Sequence, residues 1–283
     1  PEPEYRKQLA RDRDQSKAIM DFGGERFAIL PYGEQRYPYL LSGKDFAFAL
    51  AERTRPSLKV QFRSEALWRD GAQALHDRVL AWAKALGVIT LKTEQFSRAD
   101  WAFDFDLPKI DFGEDQFVTL ARKNSKWRKG QEVQTFTLGT GQTVLRVYDK
   151  VAEIESARGK SWFFELWGQA QNIWRDEFQV RGERLKEGGI NSFSDLEDLQ
   201  GDLLREVADR HTTLRRPNGD VNRSRWPLHP LWQSLHIGIA SISSLGLCRH
   251  YDPRNPLSYR KRKQLRSLYG QLKGLGAVTP SAR

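Results

Sequence analysis

The chain has 283 residues, 46 Lys and Arg against 36 Asp and Glu for a formal charge of +10, and 39% hydrophobic residues including nine Trp and 15 Phe. That is enough apolar material for a folded core, which excludes a disordered tail, and at about 150 residues per domain it suggests one large or two small domains. Cys248 is the only cysteine, so an intrachain disulfide and a Cys-based zinc site are both excluded and a reducing compartment fits best.

The start, Pro1 to Lys7, is charged with no apolar run behind it, so no secretory signal is expected in the numbered chain. The first strand expected is Leu58–Phe62, where apolar and polar residues alternate. Ser64 to Leu86 follows as one helix, with Trp68, Ala72, Leu75, Val79, Trp82 and Leu86 on one side, Ser64 to cap its start and Gly87 its end.

Three strands then alternate apolar and polar residues with a period of two. In Arg98–Asp106, residues Arg98, Asp100, Ala102, Asp104 and Asp106 share one face and Trp101, Phe103 and Phe105 the other. In Thr143–Lys150, Arg146, Tyr148 and Lys150 oppose Leu145 and Val147, and in Ile173–Arg181, Arg175, Glu177, Gln179 and Arg181 oppose Trp174, Phe178 and Val180. Asp176 is the exception, on the apolar side. Val133 to Leu138 joins Thr143 through Gly139-Thr140-Gly141-Gln142, a hairpin connection. Gln116 to Arg122 reads equally as helix or strand.

Beyond Arg181 the pattern is helical, at Asp195–Arg210 and Leu257–Leu275, with a turn-rich loop at 215–220 between them. Leu235 to Leu247 is weakly polar but far shorter than the roughly 20 residues a membrane span needs, so a soluble, cytoplasmic protein is expected, without membrane contact. From Arg249 to Arg283 nine Lys or Arg face Asp252 alone, Arg260, Lys261, Arg262 and Lys263 being consecutive. Such a basic tail asks for an anionic partner.

These elements predict an α+β fold: a central, mainly antiparallel sheet with helices packed on one face and a helical C-terminal region. Residues 1–190, with the N-terminal helix and the hairpin, would form the main domain, and 191–283 a basic helical region packed on it or extending it. The uncovered sheet face gathers Asp100, Asp104, Asp106, Glu177, Tyr148 and several Arg and Lys. Three carboxylates on one strand face repel unless a cation or a basic partner sits among them. Oxygen donors without Cys or paired His suit Mg²⁺ or Mn²⁺. A divalent ion beside Arg and Lys is equipment for phosphodiester chemistry, with water or a tyrosine oxygen as the attacking group. Of the eight tyrosines, Tyr148 alone is expected on such a face.

Arg98-Ala-Asp100-Trp-Ala102-Phe-Asp104-Phe resembles the R-x-D-x-A-x-D-F strand of the replication initiation factor family, which includes rolling-circle initiators of plasmids and filamentous phages and related conjugative-element relaxases. In the same order, Arg146-Val-Tyr148-Asp149-Lys150 resembles its R-x-Y-[DE]-K box, Arg175-Asp-Glu177-Phe-Gln179-Val-Arg181 its R-x-E-x-Q-x-R strand, and Trp226-Pro-Leu-His229-Pro-Leu-Trp232 its W-P-x-H-P-x-W box. Val60 to Trp68 resembles its upstream strand and helix start.

The resemblance implies a metal-dependent single-strand endonuclease and transesterase that leaves a 5′-phosphotyrosine and a free 3′-OH. Tyr148 would be the nucleophile, Asp100, Asp104 and Glu177 the ligands of Mg²⁺ or Mn²⁺, and Asp106 a reserve ligand. Arg98, Arg146, Lys150, Arg175 and Arg181 would contact DNA phosphates or else serve the structure, while the charge of the tail, with Arg260, Lys261, Arg262 and Lys263, would by itself add salt-dependent affinity for DNA. The partner would be DNA at an origin, in a single-stranded or cruciform nick site. No nucleotide-hydrolysis motif appears, so unwinding would need a separate helicase, and a homodimer is the assembly allowed for. A conjugative relaxase with the same chemistry and a non-catalytic DNA-binding replication protein are the alternative readings.

Overall fold

The computed structural model describes residues 19–34, 36–52, 56–89, 91–157 and 160–244. The basic helix expected at Leu257–Leu275, with Arg260, Lys261, Arg262 and Lys263, lies outside the described residues. The chain is α+β with antiparallel sheets, and it divides into two compact units at Leu91/Lys92.

The first unit is a meander of β1 (Ile19–Phe22), β2 (Glu25–Ile29), β3 (Tyr39–Gly43), β4 (Phe46–Leu50) and β5 (Leu58–Phe62), each strand antiparallel to the next. Two helices follow, α1 (Ser64–Asp70) and α2 (Ala72–Ala85). Val79 and Trp82 of α2 pack on Phe27, Phe46 and Phe48, and the Trp82 indole N–H donates to the Phe22 carbonyl at 2.9 Å. The single helix expected over Ser64–Leu86 is broken at Gly71, whose φ of +82° ends α1 and opens α2. Trp68 is therefore left exposed, and Ser64 makes no side-chain cap.

In the second unit, β6 (Arg98–Asp106) is followed by β7 (Phe117–Thr119), β8 (Asn124–Lys129), β9 (Glu132–Leu138) and β10 (Thr143–Asp149). Helices α3 (Lys150–Ala157) and α4 (Trp162–Trp167) lead to β11 (Ile173–Arg181). Then come α5 (Gly182–Gly188), α6 (Phe193–Glu206), β12 (Thr212–Leu214) and α7 (Pro230–Ala240). The main sheet has the order β6-β11-β10-β9-β8, all antiparallel, and β7 pairs with β12. The segment that reads as helix or strand is a 3-10 turn at Glu114–Gln116 and then β7. The helix expected over Asp195–Arg210 is α6, passing into a π turn at Val207–His211.

The apolar sides of β6, β9, β10 and β11 form one core with Leu203 and Leu204 of α6 and Leu231, Trp232, Leu235 and Ile239 of α7. The helices after Arg181 thus share a core with the sheet whose last strand is β11. His229 caps α7, its Nδ1 accepting from the Leu231 N–H at 3.2 Å, and the Trp232 indole donates to the Ala208 carbonyl at 3.0 Å. The tryptophan and histidine of that box thus order the helical layer. No described helix is long and apolar enough to cross a membrane.

Candidate active site

Residues directly opposite one another in an antiparallel pair project to the same face, so the register alone assembles the polar side of the main sheet. One row runs Trp127, Thr135, Tyr148, Arg175, Asp104, and the next runs Ser125, Thr137, Arg146, Glu177, Ala102. Tyr148, Arg146, Glu177, Arg175 and Asp104 are thereby gathered from three neighbouring strands.

The Tyr148 hydroxyl donates to Glu177 Oε2 at 3.0 Å. Arg146 Nη1 donates at 3.2 Å both to Glu177 Oε1 and to Gln179 Oε1. Tyr148 is 9% exposed, and burial, reinforced by the Glu177 charge, raises its pKa, Arg175 opposing. The phenol is neutral in this arrangement, with an acceptor for its proton already aligned.

Arg175 grips Asp104 in bidentate fashion, Nε to Oδ1 at 2.6 Å and Nη2 to Oδ2 at 2.7 Å. Its guanidinium lies 4.7 Å from the centre of the Phe163 ring. The Trp167 indole donates to Asp104 Oδ2 at 3.0 Å. Burial works against the Arg175 charge, but its bonds to Asp104 outweigh this and hold its pKa above the ordinary value. Helix α4, which supplies Phe163 and Trp167, covers this end of the polar face.

Lys150 does not continue the strand. It opens α3, because the Asp149 carboxylate accepts the Ala152 N–H at 2.9 Å, an N-terminal cap of the Asp type. Lys150 is 1% exposed, with Nζ donating to Glu153 Oε2 at 2.6 Å and lying 5.5 Å and 5.2 Å from the Tyr148 and Phe163 ring centres. Burial lowers its pKa, partly countered by Glu153. As placed, it braces the back of Tyr148 rather than reaching a ligand. Glu153, Phe163 and Trp167 carry no sequence pattern that marks them, since each belongs to a short helix that only the fold lays over the sheet.

The other candidates are more peripheral. Arg98 and Asp100 form an exposed ion pair on β6, and Arg181, opposite Arg98, ends β11 exposed. Asp106 is exposed at the far end of β6, opposite Ile173.

The carboxylates do not fit a divalent ion as they stand. Asp104 is taken by Arg175 and Trp167, Asp100 by Arg98, and Glu177 by Arg146 and Tyr148. Among the described residues no three His, Cys, Asp or Glu side chains form a group that could hold a metal. Freeing Asp104 would strand the buried Arg175 charge, at about 3–5 kcal/mol.

No protein-family model matches the chain, and no curated protein matches it. Among solved structures it is similar to the rolling circle replication initiator protein from Geobacillus stearothermophilus, at 16% identity and a TM-score of 0.48, over 86% of this chain and 89% of that one. A likeness at this level assigns neither family nor activity.

Proposed function

We propose that the chain nicks and rejoins DNA through a covalent tyrosine intermediate, and that it thereby initiates rolling-circle replication of a mobile element. The observation that carries the chemistry is the Tyr148 hydroxyl on Glu177 at 3.0 Å, with Arg175 directly opposite Tyr148 and Arg146 directly opposite Glu177. The biological setting rests on the ordered motifs that resemble the replication initiation factor family.

Tyrosine ionises near pH 10 when unperturbed, and burial makes it a weaker acid still, so a preformed phenolate is not the attacking species. Glu177 instead takes the phenolic proton as Tyr148 Oη bonds to phosphorus. The bond from phosphorus to the 3′ oxygen breaks, and that oxygen leaves as a free 3′-OH once protonated. Arg146 would offset charge growing on the phosphoryl oxygens, and Arg175 would add to this once Asp104 releases it. Because the phosphotyrosine keeps the energy of the broken bond, attack by a 3′-OH reseals the strand. Conjugative transfer would use the same chemistry.

One observation favours the binding-only alternative: Tyr148 is buried and its pKa is raised, so access to a phosphate requires the covering residues to move. The test is incubation of wild type, Tyr148→Phe and Glu177→Gln with labelled single-stranded DNA of varied sequence, with Mn²⁺ or with EDTA, scored for a denaturation-resistant adduct. Wild type is expected to form the adduct, Tyr148→Phe none, and Glu177→Gln at least about 100-fold less. Loss of the adduct in EDTA would mean that the arginines yield their carboxylates to an ion. Equal adduct from Tyr148→Phe would move the nucleophile elsewhere, and intact DNA binding without adduct would leave a binding protein.

A further inference from the structure

Strand β8 is exposed along its whole length and forms one edge of the main sheet. From Arg122 to Lys129 the chain carries Arg122, Lys123, Lys126, Arg128 and Lys129 and no acid. Edge strands are commonly guarded by lysines against pairing with another chain, and that role accounts for the charges. It does not account for Trp127, which lies among them and is 57% exposed. An aromatic on an open sheet edge adds apolar surface where another chain can pair, the reverse of what the lysines guard against.

The register says where that ring is. Trp127 opposes Thr135, and Thr135 opposes Tyr148, so Trp127 stands on the same sheet face as the proposed nucleophile, two strand spacings or about 10 Å away. Thr135 and Thr137 lie on this face on the strand between the two aromatics, with Ser125 beside Trp127 on β8, and their short polar side chains form a low, hydrogen-bonding floor. Bases on a strand edge, an exposed aromatic, and a polar floor leading to a tyrosine match a single strand in both charge and stacking chemistry.

We infer that β8 is a binding site for unpaired DNA, in which a base stacks on Trp127 while the backbone crosses the Thr135 and Thr137 floor toward Tyr148. At a rise of at least about 3.4 Å per nucleotide, the stacked base is within about three nucleotides of the scissile phosphate. Duplex DNA cannot use this platform, because its bases already stack on each other. The assignment of strand and polarity to a nick rests on the nicking role proposed for Tyr148; the stacking itself does not.

The test is fluorescence anisotropy with the full chain and a fluorescein-labelled 20-mer of thymidine, a 20-base-pair duplex and a 20-mer of uridine, at several salt concentrations. Trp127→Ala should weaken binding of the thymidine 20-mer roughly tenfold with an unchanged salt slope. Trp127→Phe, which keeps a stacking face, should stay within about threefold of wild type, and duplex binding should not change. Arg128→Ala with Lys129→Ala should instead make the salt dependence shallower. Wild-type affinity in Trp127→Ala, an equal loss for single strand and duplex, or tighter binding of the uridine 20-mer would each overturn the inference. Adduct yield is read in parallel at limiting DNA. A full adduct from Trp127→Ala would sink this site and leave the nicking reading standing. A Trp127-dependent binding step without any wild-type adduct would do the reverse.

Discussion

Asp176 breaks the alternation of its strand. Its neighbours along the core face are Trp174 and Phe178, and Val147 and Phe103 oppose it. It is 0% exposed, and neither carboxyl oxygen has a hydrogen-bond partner among the described residues. Burial, with the Asp104 charge adding, pushes its pKa up to about 8. The folded-state pKa therefore lies above the unfolded one, so its contribution to stability is complete below about pH 4 and is lost as pH rises through about 8. Asp176→Val should remove both the unpaired group and the titration. It is expected to stabilise the chain by about 1–3 kcal/mol at pH 8, and by less at pH 5. Urea unfolding at the two pH values measures this, and a loss of stability at both would mean that the carboxyl has a partner. Despite Asp176, the strand keeps its register, and Glu177 stays on the face with Tyr148.

The β9 to β10 hairpin depends on Gly139. Its φ is +98°, and a Cβ there would lie 2.6 Å from the Thr143 carbonyl oxygen, an approach no larger residue tolerates. Gly139→Ala should cost about 1–3 kcal/mol, whereas Gly141→Ala, which meets nothing within 4 Å, should be near neutral. Chemical denaturation of the two variants separates a conformational requirement from mere loop flexibility. This hairpin was legible in the sequence, as were β6, β10 and β11, because strands with one buried face write a period of two into their residues. The meander β1 to β4 was not. Phe46-Ala-Phe-Ala is buried on both faces, and Ile19-Met-Asp-Phe is too short to show any period. β8 hid because it is polar but for Trp127 and exposed on both faces, although an aromatic set among bases was a signal for it. The sequence placed the acids and the tyrosine on one face, but it could not say that arginines would take up Asp100, Asp104 and Glu177, since that depends on lateral register and on helix α4 lying over the sheet.

At the scale of the whole chain, each unit has a core of its own. Phe27, Phe46, Phe48, Val79 and Trp82 close the first, and the second joins four strands of the main sheet to α6 and α7. Every residue of the candidate site, from Asp100 to Gln179, belongs to the second unit, and so do Trp127 and the rest of β8. Folding cooperativity follows the packing of a core. A fragment of residues 92–283 should therefore unfold in a single cooperative transition, and it should form the tyrosine adduct at the yield of the full chain. Thermal melting followed by near-UV circular dichroism reports the first, and the adduct assay the second. The aromatic-rich sheet face makes the near-UV signal a sensitive measure of fixed tertiary packing. A fragment that melts cooperatively but forms no adduct would assign the first unit a part in the reaction, such as holding the DNA. A fragment that lacks a cooperative transition would mean that the second core is not sufficient alone, and the chemistry would then have to be sought only in the intact chain.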